Sequence, residues 1–596
     1  MKYDAKDLTD MANAVRANAL RAVRSAHSGH IGIVLGASDI ITSVYANFMH
    51  CGSDRFVLSA GHGSAMLYSV LKLAGYDIGD LTSFRKMGGL PGHPEMSIPG
   101  VDATTGPLGQ GVGMAVGYAI AHKIQKKPGK VFCLCSDGDL MEGISAEAIT
   151  FAGRYRLDNL ILLWDDNRIS IDGVAQTDFQ IPMRMKAAGW NVLKGVDGHD
   201  FAQINRALDI ATKSGRPTFI QCKTEIGHDS SVAGTAVAHG LGIGDIELDD
   251  LIQKYTSLRG ETLWNAYSQS RVCCLAPDMH IQTPMVDVIK WSGDISTRKL
   301  SAKYLQELLF NNINLIGGSA DLGGNTGARV ESSVHITTKN NYTGNYINYG
   351  VREHAMGAIM NGIAAAGLRP YGSTFLAFSD YMRPAIRIAA LSKLPVIYVF
   401  SHDSVAVGED GPTHQPIEQL ASLRLIPNLN VFRPCNSTEV AYAWQTAVQE
   451  TSRPSAIILS RQDFPQIETP TNANAGRGGY IIMPANKRDV KITLIATGSE
   501  VPLAVSVAGL IGDDVQVVSM PSVEIFRAQS DEYKQQIMRG FVVAIEAAAS
   551  SPWFEFADAV VGIDKFGFSG DGKTVYKQMG MDANAIATDI LDKIKR

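Results

Sequence analysis

Two oxygen-rich turns stand thirty positions apart in this chain: Ser136-Asp137-Gly138, which ends an apolar run at 131–135, and Asp165-Asp166-Asn167, which ends another at 159–164. The segment between them has helix-forming character, so the pattern reads strand, crossover, strand. In a parallel α/β sheet both strand tips lie on one edge, and the Asp137 carboxylate and the Asn167 amide oxygen can then converge. Both are hard ligands suited to magnesium or calcium, and magnesium keeps part of its shell for a phosphate. An Asp-Gly pair alone is more often a plain turn. Two such tips together point to a metal that holds a diphosphate.

Other patches carry chemistry of the same kind. Ser28-Gly29-His30, Gly61-His62-Gly63-Ser64 and Pro91-Gly92-His93-Pro94-Glu95 each set glycine beside imidazole, so that backbone can approach a ligand while the ring donates or accepts. A glycine-rich loop, 105–111, then enters a helical run at 112–121 whose free N–H groups suit a phosphate. Further on, Tyr349-Gly350-Val351-Arg352-Glu353-His354 opens a second helical run, and Phe375 and Phe378 stand three apart after Ser373-Thr374. A dense polar loop at 401–416 follows an apolar strand, where catalytic groups tend to sit. Arg85, Arg298 and Arg461 are candidate phosphate forks.

These residues need rigid elements to carry them. At 596 residues the chain is too long for one core. Alternating apolar runs and helical segments give one large α/β domain over 1–245. A linker at 246–294 follows, with a polar helix-like piece and an irregular passage at 273–282. A second α/β domain spans 295–468, with strands near 313–316 and 396–400, and a third, smaller one spans 478–596, with strands near 492–496, 515–519 and 542–545. The expected fold is therefore α/β in three domains, the two larger with mainly parallel sheets and the third a smaller C-terminal α/β domain.

Composition removes several classes of function. A net charge of −5 offers no overall pull toward nucleic acid or an anionic membrane. Seven scattered cysteines read as reduced, and neither Cys133-Leu134-Cys135 nor Cys273-Cys274 has the partner cluster a zinc site requires. The charged start MKYDAKDLTD lacks a secretory core, and no run reaches membrane-spanning length by inspection, so a cytoplasmic enzyme is expected.

In order and approximate spacing, the motifs together resemble transketolases, from about Leu8 to the C-terminus. The family commonly has glycine at the position of Ser136, a further histidine at Ala236, Ala-Pro at Leu241-Gly242 and serine at Asn325. The resemblance implies thiamine diphosphate with Mg2+ or Ca2+, and the Ile169 carbonyl joining Asp137 and Asn167 as metal ligands. His62, Gly106, Leu108, Gly138, Ile171, His239 and Asp321 would contact the cofactor, with Phe378 stacked on its pyrimidine and Phe375 bordering it. Glu353 would hydrogen-bond the pyrimidine nitrogen, so that the cofactor forms its ylid and acts as an electron sink. His30, Arg85, His93, Arg298, Asn325, His402, Asp410, His414 and Arg461 would bind the sugar phosphate, and His30, His239 and His414 would carry protons.

The implied activity is transfer of a two-carbon ketol unit from a ketose phosphate, such as xylulose 5-phosphate, to an aldose phosphate, such as ribose 5-phosphate or erythrose 4-phosphate, as in the pentose phosphate pathway. A homodimer with shared active sites is the implied assembly. Related alternatives are a dihydroxyacetone synthase, a deoxyxylulose-phosphate synthase, or a degenerate member that binds cofactor as a scaffold. The Asp410 to His414 loop favours a hydroxylated donor over pyruvate, because each buried hydroxyl without a partner costs about 1–3 kcal/mol.

Overall fold

The computed structural model describes residues 2–176, 180–270, 287–311 and 313–594; Cys273-Cys274 and the passage at 273–282 lie outside them. Contacts divide the chain into two units, one of 1–278 with 337–342 and 354–367, the other of 279–336, 343–353 and 368–596.

In the first unit, strands β1 (Arg55–Leu58), β2 (Val131–Ser136), β3 (Leu160–Asp166), β6 (Asn191–Asp197) and β7 (Thr218–Lys223) form one sheet in the order β1-β2-β3-β7-β6, with every pairing parallel. A small antiparallel hairpin, β4 (Ile169–Ser170) and β5 (Gly173–Val174), leaves the tip of β3. All residues of β2 and β3 are buried, which explains why both read as continuous apolar runs rather than alternating ones.

The first helix, Ala5–Ala26, is capped by Asp4 and buries Leu8, Met11, Val15, Leu20 and Val23 at helical spacing. Where a linker was expected, the helices Asp245–Tyr255 and Leu258–Gln269 pack on this first helix. Trp264 donates to the Met11 carbonyl at 3.0 Å, and Arg259 pairs with Asp7 and Asp10. Only Leu248, Leu251 and Tyr255 of the first of these helices are buried, so its apolar stripe is too thin to stand out in sequence. One run does have the length and apolarity to cross a membrane, Ile31–Phe48, contrary to the sequence reading. It is 89% buried, because the helix Ile31–Ser43 continues through a π turn and packs inside the unit's core.

The second unit holds two sheets. Strands β8 (Leu315–Ser319), β9 (Tyr346–Asn348), β10 (Arg369–Phe375), β11 (Ile397–Ser401), β12 (Asn430–Phe432) and β13 (Ser455–Leu459) run in the order β12-β13-β11-β10-β8-β9, all parallel. The other sheet, β14 (Tyr480–Met483), β15 (Ile492–Ala496), β16 (Val515–Ser519), β17 (Phe541–Ile545) and β18 (Ala559–Val561), is parallel except for β14. The expected α/β class with mainly parallel sheets is therefore the observed one. In each sheet the strand tips deliver the polar turns that follow them to one edge, as crossover connections require.

Candidate active site

The first unit gathers its oxygen donors at the tips of β2 and β3. Ser136 caps the short helix Asp137–Met141, and Asp139 returns a bond to the Ser136 N–H, a closed capping box. Ser136 has φ of −104°, so the position does not require glycine and the serine adds a cap. Beyond β3, Asn167 donates to Asp165 at 3.0 Å, the Ile169 N–H donates to Asn167 Oδ1 at 3.0 Å, and the Arg168 N–H donates to Asp137 Oδ2 at 3.2 Å. That last bond ties one tip to the other. An aspartate and an asparagine oxygen beside the Ile169 backbone form a hard donor set that fits magnesium or calcium and leaves room for phosphate oxygens.

Asp137, Gly138, Asn167, Ile169 and Ile171 line a cavity of about 530 Å³ together with His30, His62, His93, His239, Gly106 and Leu108. Gly106 has φ of +141°, a conformation that side-chain-bearing residues rarely adopt, and it lies against the His93 ring. The imidazoles crowd one another: ring centres of His62 and His239 are 5.1 Å apart, and His30 lies 5.5 Å from each. Arg85 donates to His30 Nδ1 at 3.1 Å and to Ser28 at 2.6 Å. Because guanidinium only donates, His30 is neutral with its proton on Nε2, free to donate into the cavity.

Burial, then Arg85 and the neighbouring rings, depress His30 to about 4, and burial with the other rings takes His62 to about 3. His93 is lowered by burial and Arg85, and His239 by burial. All four are thus neutral near pH 7, suited to hydrogen-bond a ligand or to relay a proton.

A second group belongs to the other unit. Phe375 and Phe378 stack at 6.0 Å, His402 lies flat on Phe375 at 3.7 Å, and His414 sits edge-on to Phe378 at 5.1 Å. Arg298 donates to the Asn325 carbonyl, and Arg461 donates to the Val407 carbonyl at 3.1 Å. Burial, then Arg298 and Arg461, push His402 down to about 3, so these cations and this ring share one field. Glu353 accepts from Thr374 at 3.2 Å, and burial raises its carboxyl above the usual range. Asp410 stands exposed on the same loop as His414, and Asp321 and Asn325 are exposed beyond β8, Asp321 with φ of +67°.

Two residues escaped the sequence reading. Asp139 is fully buried and accepts from Ser59 (2.6 Å), the Gly109 N–H (2.8 Å) and Ser136, so it joins the ends of β1 and β2 to the start of the helix Gln110–Ile124. Asp139, two places after Asp137, gives that role away only by its capping-box spacing. Thr374, the partner of Glu353, lies in a strand and left no signal.

The histidine cluster generates a pH dependence. In the unfolded chain these imidazoles titrate near 6.5, above their folded values, so the unfolded state takes up protons first as pH falls. The stability that neutral His30 and His62 contribute is complete above about pH 6.5 and is lost as pH falls toward 4 and then 3. The slope is up to about 1.4 kcal/mol per pH unit for each histidine, and less where water reaches the ring. Thermal unfolding of the cofactor-free protein should show a midpoint that drops between pH 7 and pH 5, with a shallower drop in His62→Gln. Identical slopes would contradict the assignment.

Comparison with known proteins agrees along the whole chain. Residues 8–261 match the family model of the transketolase thiamine diphosphate binding domain, 293–466 that of the transketolase pyrimidine binding domain, and 478–582 a transketolase-like C-terminal domain. A transketolase of Dictyostelium discoideum is 40% identical, covering 97% of this chain and 98% of its own, and one of Bacillus subtilis is 39% identical, covering 92% and 94%. Among solved structures, the transketolase of Leishmania mexicana superposes with a TM-score of 0.91 at 34% identity over 98% of this chain and 96% of its own. That of Campylobacter jejuni gives 0.89 at 37% over 99% and 100%. A Pichia stipitis transketolase in complex with sedoheptulose 7-phosphate gives 0.87 at 34% over 98% and 97%. With family models matching most of its length and relatives near 40% identity end to end, this chain belongs to the transketolase family.

Proposed function

We infer that the chain is a transketolase in activity as well as in family: it transfers a two-carbon ketol unit between sugar phosphates with thiamine diphosphate as cofactor. The observation that carries this reading is the cavity in which Asp137, Asn167 and Ile169 meet four neutral histidines. When bound, the cofactor supplies a carbanion-stabilising electron sink. The protein's own residues do the rest. Asp137, Asn167 and the Ile169 carbonyl hold the magnesium or calcium ion. His62, Gly106, Leu108, Gly138, Ile171, His239 and Asp321 seat the cofactor, and Phe375 and Phe378 offer aromatic faces for its ring. Glu353, whose carboxyl burial makes easier to protonate, holds a proton against the ring nitrogen.

His30, His93, Asp410 and His414 pair with sugar hydroxyls, and His30, His239 and His414 move protons. Arg298 and Arg461, with His402, Asn325 and Arg85, receive the phosphate. The domains run 1–245, 295–468 and 478–596, with the helices at the start of the 246–294 linker docked on the first of them, and a cytoplasmic location fits the free thiols at Cys51, Cys133, Cys135, Cys222 and Cys435. The chain assembles as a homodimer in which the metal-binding unit of one subunit and Glu353 and Phe378 of the other serve a single cofactor.

A coupled assay with xylulose 5-phosphate and ribose 5-phosphate should show turnover only when thiamine diphosphate and magnesium are present. Arg298→Ala or Arg461→Ala should raise KM for that donor at least tenfold while sparing hydroxypyruvate, which carries no phosphate. Equal loss on both donors would count against the phosphate assignment.

Assembly has its own test. Asp137→Ala and Glu353→Ala should each be inactive alone. Heterodimers reassembled from the two have one site with both lesions and one with neither, so about half of the wild-type activity per dimer should return. An inactive mixture in which heterodimers are demonstrated would defeat the shared-site arrangement.

A further inference from the structure

The second unit buries a cluster of charges that the reaction does not use. Arg433, just past β12, donates through Nε (3.1 Å) and Nη2 (2.9 Å) to Asp403 Oδ2, and its Nη1 pairs with Glu500 and donates to Thr497 Oγ1 at 2.8 Å. Glu546, beyond β17, receives a two-pronged contact from Arg424 at 2.8 and 3.0 Å, together with the Trp553 N–H at 2.7 Å. Tyr576 and Ser499 donate to Glu500 at 2.6 and 2.7 Å. The side chains of Arg433, Asp403, Glu500 and Glu546 are at most 2% exposed. Burial opposes the charge on Glu546, but Arg424 and Arg433 outweigh it and hold that carboxyl at about 2.

Such a cluster is a poor source of net stability, because desolvating five charges cancels most of their attraction. Its geometry is specific, however, and specificity is what a neighbouring residue needs. His402, immediately before Asp403, has φ of +64°, a left-handed conformation that costs a side-chain-bearing residue about 1–2 kcal/mol and persists only where surrounding contacts impose it. The Asp403 clamp is such a contact. Arg433 is fixed in turn by the turn at 497–499, where Gly498 has φ of +50° and an added Cβ would lie 2.9 Å from the Arg433 side chain. The Gly498 N–H donates to the Arg433 carbonyl at 3.0 Å. A second brace lies nearby: Gln415 donates to the Gly408 carbonyl at 3.0 Å and to the Phe568 carbonyl at 3.1 Å, so the loop that carries Asp410 and His414 rests on the segment at 567–572.

We propose that the C-terminal domain, which supplies none of the site residues assigned above, is a positioning element for the donor phosphate. Glu500 and Glu546 orient Arg433, Arg433 orients Asp403, and Asp403 holds the left-handed turn that presents His402. Arg433, Asp403 and Glu500 are positioning residues. They act through His402, so the proposal rests on the reading of His402 as a phosphate contact.

The test uses the full-length holoenzyme and two donors, xylulose 5-phosphate and hydroxypyruvate. Asp403→Asn keeps the side chain's shape and removes its charge. It should raise KM for the phosphorylated donor about five- to tenfold, with kcat and both hydroxypyruvate parameters within twofold of wild type. Glu500→Gln, in the C-terminal domain itself, should shift KM in the same direction by a smaller factor, and it carries the test if Asp403→Asn does not fold. In a His402→Ala background Asp403→Asn should add nothing further, as expected of a residue that acts through that ring. Multiplicative effects in the double variant, parallel losses on both donors, or unchanged KM in Asp403→Asn and Glu500→Gln while His402→Ala raises it, would each overturn the positioning role alone. Unchanged KM in His402→Ala would overturn the phosphate reading and the proposal together.

Discussion

The parallel pairing of β2 with β3 is the constraint on which the site depends. Ser136 sits opposite Asp165 in that register, so both strands end together and the residues that follow, Asp137 and Asn167, are delivered to one edge. Antiparallel pairing would have sent them to opposite ends of the sheet. The Arg168 N–H then fastens one tip to the other, and Asp139 ties the same edge to Gly109 and so to the helix Gln110–Ile124. Oxygen donors and neutral histidines that line one cavity are a favourable environment for a divalent ion and for the phosphate oxygens that complete its shell. A phosphate-bearing cofactor and its metal satisfy both.

Charge is distributed accordingly. The histidines of the first unit are crowded and buried until they are neutral, which makes them hydrogen-bonding and proton-relay groups instead of counter-ions. Permanent cations near assigned phosphate contacts are arginines, which cannot be neutralised by burial at physiological pH. His402 shows the same effect beside them: burial first, and then Arg298 and Arg461 in its field, keep it from holding a proton near neutrality. In the second unit burial likewise favours the neutral form of Glu353, which for a carboxyl means a raised pKa, so the same effect that deprotonates the imidazoles makes this carboxyl easier to protonate.

Much of this was legible in sequence because it follows from short-range rules. A fully buried strand that stops at an acidic turn, a glycine beside a histidine, and a glycine-rich loop entering a helix each leave a local imprint, and β2, β3, Asp137, Asn167, His30, His62 and His93 stand out by such imprints, whereas Leu108, Ile169, Ile171 and His239 come only from the resemblance to transketolases. The central strand β10 was not. Arg369-Pro370-Tyr371-Gly372-Ser373-Thr374-Phe375 is polar and contains proline, which usually marks an edge, yet every residue of it is buried, and Arg369 donates to the Pro395 carbonyl. Asp139 shows locally only as one half of a capping box with Ser136, while its bonds to Ser59 and Gly109, and those of Arg433 to Asp403 and Glu500, join residues 30 to 80 positions apart that no local pattern encodes. The helices at 245–269 were faint because most of their surface is polar and only a narrow stripe packs.

The central claim is that Asp137 and Asn167 seat a divalent ion through which the diphosphate is held. Calorimetric titration of thiamine diphosphate into the cofactor-free protein, with magnesium, with calcium and with chelator, tests it directly. The account predicts tight binding that chelator weakens at least a hundredfold, and, in Asp137→Ala, weak binding that no longer responds to either metal. Binding of equal strength with and without metal, or a metal response retained in Asp137→Ala, would contradict it.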